Sequence, residues 1–203
     1  IGKAFAKEIG DLIQYDAKVI RIQQGDRGVT VSYVNSKTPY TPQIATAEWC
    51  VCTIPLSILG QIQIDVGPRM KAAIDAVPYS SSVKIGLQFK RRFWEEDEAI
   101  YGGISYTDLP IRQISYPSSG FNRNGRGVLL GAYVFEGANA YEFTSMAPAD
   151  RIARAVELGA RIHPQYGAEL ENGVAVAWHR VPFTLGCAGA WSEQAREEHY
   201  QNL

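Results

Sequence analysis

The chain has little cysteine, no long apolar run and no excess of either charge, and each shortage excludes something. Three cysteines in 203 residues, Cys50, Cys52 and Cys187, cannot build a disulfide framework. Cys50 and Cys52 would share one face of a strand, where an i, i+2 bridge fits poorly, so buried free thiols are expected. A reducing, cytoplasmic setting agrees with that, with secretion left open. No stretch approaches the roughly 18 apolar residues of a membrane-spanning helix. The longest apolar stretches, such as Trp49 to Ile54, have strand length. With 20 basic and 21 acidic residues the net charge is −1, which gives no general pull toward nucleic acid or an anionic membrane. His163, His179 and His199 have no second histidine or cysteine at ligand spacing, so a zinc site is not expected. No Gly-x-Gly-x-x-Gly follows a strand, and neither a P-loop nor a Gly-x-Ser-x-Gly elbow occurs. No Asn-x-Ser/Thr sequon is present.

What remains is ordinary globular composition, 46% hydrophobic and 20% charged. Residues 3–15 have helical spacing, with Phe5, Ile9, Leu12 and Ile13 on one side. Residues 17–23 and 29–34 alternate around the turn cluster 24–28 and predict a β-hairpin. A third strand is expected from Ala45 to Thr53, ending at Pro55. Pro68 opens a short helix over 68–77. Strands are predicted over 82–89, 102–106, 111–116, 128–135 and 173–178. The strongest helix covers 148–162, with Ile152, Val156, Gly159 and Ile162 on one face. The tail from Ser192 is polar, with some helical character. Strands come in antiparallel-looking runs with few interposed helices, an α+β pattern rather than repeating βαβ. A boundary falls between Ile64 and Pro78. Neither end looks natural: the start is no signal peptide and lacks an initiator Met, and both ends read as cuts in a longer protein.

One residue breaks the apolar pattern. Lys84 interrupts Ser82-Val83-Lys84-Ile85-Gly86-Leu87. A strand buried on both faces would resist an ammonium there, whereas a strand with one open face would point it to water. The residues alone leave both readings open. His179, beside Trp178 at a strand end, is readable as a base or as an ordinary hydrogen-bonded histidine.

Three segments carry a resemblance. Glu48-Trp49-Cys50-Val51-Cys52-Thr53-Ile54-Pro55-Leu56-Ser57-Ile58-Leu59 resembles the strand-to-loop segment of flavin-dependent monoamine and L-amino-acid oxidases. Val77-Pro78-Tyr79-Ser80-Ser81-Ser82-Val83-Lys84-Ile85, followed by Phe93-Trp94, is similar to the family strand that carries a lysine near the flavin. Gly102-Gly103-Ile104-Ser105-Tyr106-Thr107-Asp108-Leu109-Pro110, leading to Tyr116-Pro117, resembles the L-amino-acid oxidase branch in particular.

The resemblance implies part of a two-domain FAD-dependent amine oxidase fold, α+β, with a mixed or antiparallel substrate-domain sheet and flanking helices. Residues 1–72 would be a middle portion of the FAD-binding domain and 73–190 part of the substrate-binding domain. Residues 191–203 would begin a returning segment. The family's pyrophosphate loop lies upstream and a further flavin-contacting segment downstream, so this piece is not expected to act alone. The cofactor implied is FAD. The partners are a small amino acid or amine, O₂ and the remaining segments of the same polypeptide, and a homodimer is compatible.

Carried over residue by residue, Val19 would pair its backbone with the adenine ring, and Thr53 would approach the cofactor. Lys84 matches the lysine that holds a water against the flavin. Trp178 matches a tryptophan near the flavin, lining the substrate site. Tyr133 matches a tyrosine that bonds the substrate carboxylate, although a slip of one residue would put Ala132 there. Cys187 lies where some monoamine oxidases attach flavin covalently, but Leu185-Gly186-Cys187-Ala188-Gly189 departs from that pattern, and a buried free thiol is expected. The carboxylate arginine of the family lies upstream. Arg112 is a substitute only if it is not simply solvated. The activity implied is oxidative deamination of an L-amino acid. Mono- or polyamine oxidation and a noncatalytic β-rich binding module are the alternatives.

Overall fold

A computed structural model describes residues 1–135 and 137–203. The chain divides into two compact units, Ile1–Val77 with Trp191–Leu203, and Pro78–Ala190. Both combine helices with sheet, mixed in the first unit and antiparallel in the second, the α+β class expected.

The first unit is built on a hairpin. Strands β1 (Lys18–Gly25) and β2 (Gly28–Val34) pair antiparallel, from Lys18 opposite Val34 to Gly25 opposite Gly28. The hairpin turns tightly through Asp26 and Arg27, and the close approach requires glycine: Gly28 has φ of +132°, and a Cβ there would lie 2.3 Å from the Ala47 carbonyl oxygen. β3 (Gln43–Ala47) adds to the outer edge of β2, and β4 (Gln63–Ile64) pairs parallel to β1. Helix α1 (Gly2–Ile9) ends at Gly10 and gives way to a 3₁₀ turn, shorter than the 3–15 expected. Gly10 is a weak helix former, and no buried contact holds the last turn. A short helix α2 (Leu56–Leu59) and helix α3 (Pro68–Ala76) follow, and Pro68 occupies the first turn as predicted. Ile22, Leu59 and Ile74 form the small core, with Val19 packed against it. The tail folds into a helix, Glu193–His199, whose first turn is capped by Ser192 Oγ accepting from the Ala195 amide at 3.0 Å.

The third expected strand stops six residues early. β3 ends at Ala47 because Ala47 pairs with Val29, and β2 has only Gly28 left before it turns. Residues 48–55 have no ladder partner, so Trp49, Val51 and Thr53 are exposed. Cys50 and Cys52 are free and exposed, not buried thiols on a strand.

The second unit holds the larger core. Five strands, β5 (Ser82–Phe89), β6 (Gly103–Tyr106), β7 (Gln113–Tyr116), β8 (Gly127–Phe135) and β9 (Leu170–Ala177), lie in the order β6-β7-β8-β5-β9. All neighbouring pairs are antiparallel. β5 is the central ladder, and its alternation is complete: Val83, Ile85, Leu87 and Phe89 are fully buried, while Lys84, Gly86 and Gln88 are half-exposed on the opposite face. The buried face meets α4 (Phe93–Glu96), α5 (Gly137–Ser145), α6 (Pro148–Gly159) and α7 (Tyr166–Glu169).

Phe89, Phe93, Trp94 and Tyr166 meet edge-on or tilted at 4.9 to 6.2 Å between ring centres, for example Phe89 to Phe93 at 5.1 Å. Helix α6 begins with Pro148 and Asp150 as predicted but ends at Gly159, and its most buried face is Arg151, Ala155, Leu158 and Gly159. Ile152, Val156 and Ile162 pack at its margin. Arg151 turns inward because its guanidinium serves the carbonyls of Phe143, Thr144 and Met146 at 2.8 to 3.1 Å. β9 ends at Ala177, and Trp178 opens a 3₁₀ turn instead of closing the strand.

Candidate active site

The one-faced burial of β5 decides the Lys84 question in favour of an open face. That face is not simply water, because the neighbouring strands put aromatic side chains on it. Lys84 lies opposite Tyr133 of β8 and opposite Val176 of β9. Its Nζ sits 4.3 Å from the centre of the Tyr133 ring, a cation–π contact. Phe135, two residues on and on the same face, places its ring centre 4.0 Å from that of Tyr133.

A bulge sets which of Ala132 and Tyr133 shares the face of Lys84. Lys84 pairs with Tyr133 and Ile85 with Ala132, but Gly86 pairs with Leu130, so Gly131 is the inserted residue. Ala132 faces the core and is fully buried, and Tyr133 shares the open face with Lys84.

Cys187 arrives from the other direction. Residues 78–80 and 187–190 pair as a short two-stranded segment: Cys187 N–H donates to Ser80 O and Ser80 N–H to Ala188 O, both at 2.9 Å, and Ala190 N–H to Pro78 O at 2.7 Å. The thiol, free and half-buried, comes beside the Tyr133 hydroxyl. Burial pushes that phenol above its ordinary value, and Cys187 adds to the rise. The hydroxyl therefore stays protonated through neutral and mildly alkaline pH and remains a donor. At the top of the same sheet edge, Trp178 has its indole N–H buried with no hydrogen-bond partner among the described residues, as is Ser82 Oγ one strand away. His179 is hydrogen-bonded through Nε2 to Thr144 Oγ1 at 3.0 Å, with its ring against Tyr141.

The second unit thus brings together Lys84, Tyr133 and Cys187, with Trp178 at the end of the adjacent strand. Val19 and Thr53 belong to the first unit and are described there alone. Val19 lies in β1 opposite Tyr33, next to an irregularity in the ladder before Arg21, and Thr53 lies in the exposed stretch after β3. Sequence reasoning missed Phe135 and the inward role of Arg92 and Glu95. Phe135 is legible in retrospect by its i+2 relation to Tyr133. Arg92 and Glu95, a buried ion pair in which Glu95 also accepts from the Asn122 amide at 3.0 Å, carry no sequence signal beyond their i, i+3 spacing. Arg92 holds the Glu95 carboxyl below the usual carboxylate range.

Comparison with known proteins gives a consistent answer. The family model described as flavin containing amine oxidoreductase matches residues 2–203. An L-amino-acid oxidase of Siganus canaliculatus is 32% identical over 211 residues, covering 99% of this chain and 38% of its own length. YobN of Bacillus subtilis (strain 168), provisionally named an L-amino-acid oxidase, is 30% identical over 191 residues, covering 90% and 39%. The chain therefore spans about two fifths of the length of these relatives. Among solved structures, a putrescine oxidase A394C mutant superposes with a TM-score of 0.76 at 16% identity, covering 96% of this chain and 41% of that one. That likeness concerns the fold.

The open sheet face fits a flavin. A half-buried ammonium, a protonated phenol and an unpartnered buried indole N–H are all donors, set among Phe135 and Val176. An isoalloxazine ring offers the matching acceptors and an apolar plate, and FAD is the cofactor that such a face would help to hold. Over residues 2–203, from the hairpin through the open-faced sheet, the chain belongs to the flavin-containing amine oxidoreductase family.

Proposed function

We propose that this chain supplies the substrate face of an FAD-dependent L-amino-acid oxidase. The reaction consumes an L-amino acid, O₂ and water, and releases the 2-oxo acid, ammonia and hydrogen peroxide. In this reading Ile1–Val77 belongs to the FAD-binding domain, and Pro78–Ala190 to the substrate-binding domain. The observation that carries the proposal is the cross-strand cluster of Lys84 and Tyr133 on the open face of an otherwise one-sidedly buried sheet. The identity to L-amino-acid oxidases supports the substrate class.

When bound, the flavin supplies the two-electron chemistry. The protein has to hold the substrate and the developing charges. Tyr133 O–H, kept protonated by burial, donates to the substrate carboxylate. Lys84 Nζ, steadied over the Tyr133 ring, holds a water where O₂ is reduced and offsets negative charge there. Trp178 closes the edge of the site with its indole plate, and its free N–H is available to cofactor or substrate. Val19, through its backbone, and Thr53 are the cofactor contacts of the first unit.

The test is peroxide release by the full-length protein, with a panel of L-amino acids set against mono- and diamines. The proposal expects turnover of L-amino acids, and a Tyr133→Phe variant whose KM for them rises roughly tenfold while kcat changes little. Turnover of amines alone would replace it with the amine oxidase alternative. A full-length protein that binds no flavin and oxidises neither would return the chain to a noncatalytic role.

A further inference from the structure

Arg112 is exposed to solvent, beside the open face. The turn Thr107–Arg112 fixes it. Thr107 N–H donates to Arg112 O and Arg112 N–H to Leu109 O, both at 2.9 Å. Leu109 N–H donates to Thr107 Oγ1 at 3.1 Å. Ile111, fully buried, anchors one side, and its carbonyl accepts from the Tyr133 amide at 3.2 Å. Arg112 itself has φ of +60°, a left-handed conformation that an arginine adopts only when its surroundings impose it. Its guanidinium pairs with no carboxylate among the described residues. The nearest acidic side chain in its turn, Asp108, is exposed and approaches the Thr107 hydroxyl at 3.5 Å.

Arg112 lines an open cavity of about 290 Å³ with Tyr106, Thr107, Gln113 and Phe135. Phe135 is the shared wall, since its ring centre lies 4.0 Å from that of Tyr133. Two residues along a strand span roughly 7 Å. A molecule held by its amino-acid end at Lys84 and Tyr133 thus reaches the Arg112 cavity with a chain of about four or five carbons. The lining residues offer one arginine, two aromatic rings and neutral hydrogen-bonding groups, a combination that suits a carboxylate at the end of a short apolar chain.

We propose that Arg112, with Phe135 and Tyr106, forms a side-chain subsite that selects L-amino acids with a distal carboxylate and rejects those with a distal ammonium. The proposal rests on the amino-acid oxidase reading for the orientation of the substrate, not for the existence of the anion site. It is distinct from any group that binds the α-carboxylate, because the cavity lies one strand step beyond Tyr133.

The experiment uses the full-length protein, wild type, Arg112→Ala and Arg112→Lys. Calorimetry with glutarate, a five-carbon dicarboxylate, measures binding, and kcat/KM is measured for L-glutamate, L-glutamine and L-lysine. The expected results are glutarate binding that weakens roughly tenfold in Arg112→Ala, a glutamate-to-glutamine ratio that falls by a similar factor, and a gain for lysine. Arg112→Lys keeps the charge without the fork and loses only a few-fold, and it decides the matter if the alanine variant fails to fold. Glutarate that does not bind the wild type, or a glutamate-to-glutamine ratio unchanged in the variants, overturns the subsite. A wild type that binds glutarate through Arg112 but oxidises no L-amino acid keeps the subsite and removes the oxidase reading.

Discussion

Lys84 shows how far a single residue can be read from sequence. Its ammonium broke an apolar alternation, but whether it met water or a partner depended on which strands came to lie beside it. The answer, Tyr133 on one side and Val176 on the other, comes from antiparallel pairing between segments about fifty and ninety residues away, which no local pattern encodes. The bulge at Gly131 is similar: it turns Tyr133 rather than Ala132 to the face of Lys84, yet leaves no mark in the sequence beyond one glycine among apolar residues. Two predictions belong to this scale. Lys84→Met in the full-length flavoprotein is expected to slow the oxygen-dependent half-reaction roughly a hundredfold, while leaving anaerobic reduction by substrate within a few-fold, as measured by stopped-flow absorbance. Equal slowing of both halves would assign Lys84 to substrate binding instead. Gly159→Ala is expected to destabilise by about 1–3 kcal/mol in denaturant titration, because the new Cβ would lie 2.2 Å from Tyr166 Cε1 in a rigid aromatic cluster.

At the level of elements, local signals did well where burial was one-sided. The β1–β2 hairpin, β5 from Ser82 to Phe89, and the start of α6 at Pro148 follow from alternation, turn residues and first-turn proline. Local signals failed where an element depended on a neighbour. β3 lost its second half because β2 ran out of partners at Gly28, and α1 stopped at Gly10 for want of buried contacts. The helices α4, α5 and α7 are four to nine residues long, and their apolar spacing is too brief to read; they form by covering the buried face of the sheet.

The same covering buries Tyr116 and His163 in the middle of a polar chain that runs from half-buried Ser105 to exposed Glu98, with His163 Nδ1 meeting the Glu98 carboxylate at 2.8 Å and Ser105 Oγ meeting Tyr116 O–H at 2.9 Å. Burial raises the Tyr116 and Tyr166 phenols above their ordinary value. A raised phenol favours the folded state by staying neutral, so this contribution is intact below the unfolded value near 10. It is lost as pH rises through the folded values. Thermal melts are expected to hold steady up to about pH 9 and to fall above pH 10. Tyr166→Phe should flatten part of that fall, and an alkaline limb identical to wild type would contradict the assignment. Arg92→Ala leaves Glu95 buried and unpaired, with an expected cost of about 3–5 kcal/mol in the same melts.

For the whole molecule, the fold class was legible because hydrophobic period and turn chemistry recur along the entire chain, and because the ordered motifs resemble one family. The assembled site was not. The chain spans about two fifths of the length of its relatives. Among the described residues no helix is long and apolar enough to cross a membrane, and no cluster of three or more His, Cys, Asp or Glu side chains is arranged to hold a metal ion. The most direct test is the visible spectrum of the full-length protein, recorded anaerobically before and after an L-amino acid is added. The account predicts the two visible bands of oxidised flavin, bleached by the amino acid and restored by air. A flavin that an amine bleaches and no L-amino acid touches, or a full-length protein that remains colourless with added FAD, would contradict it.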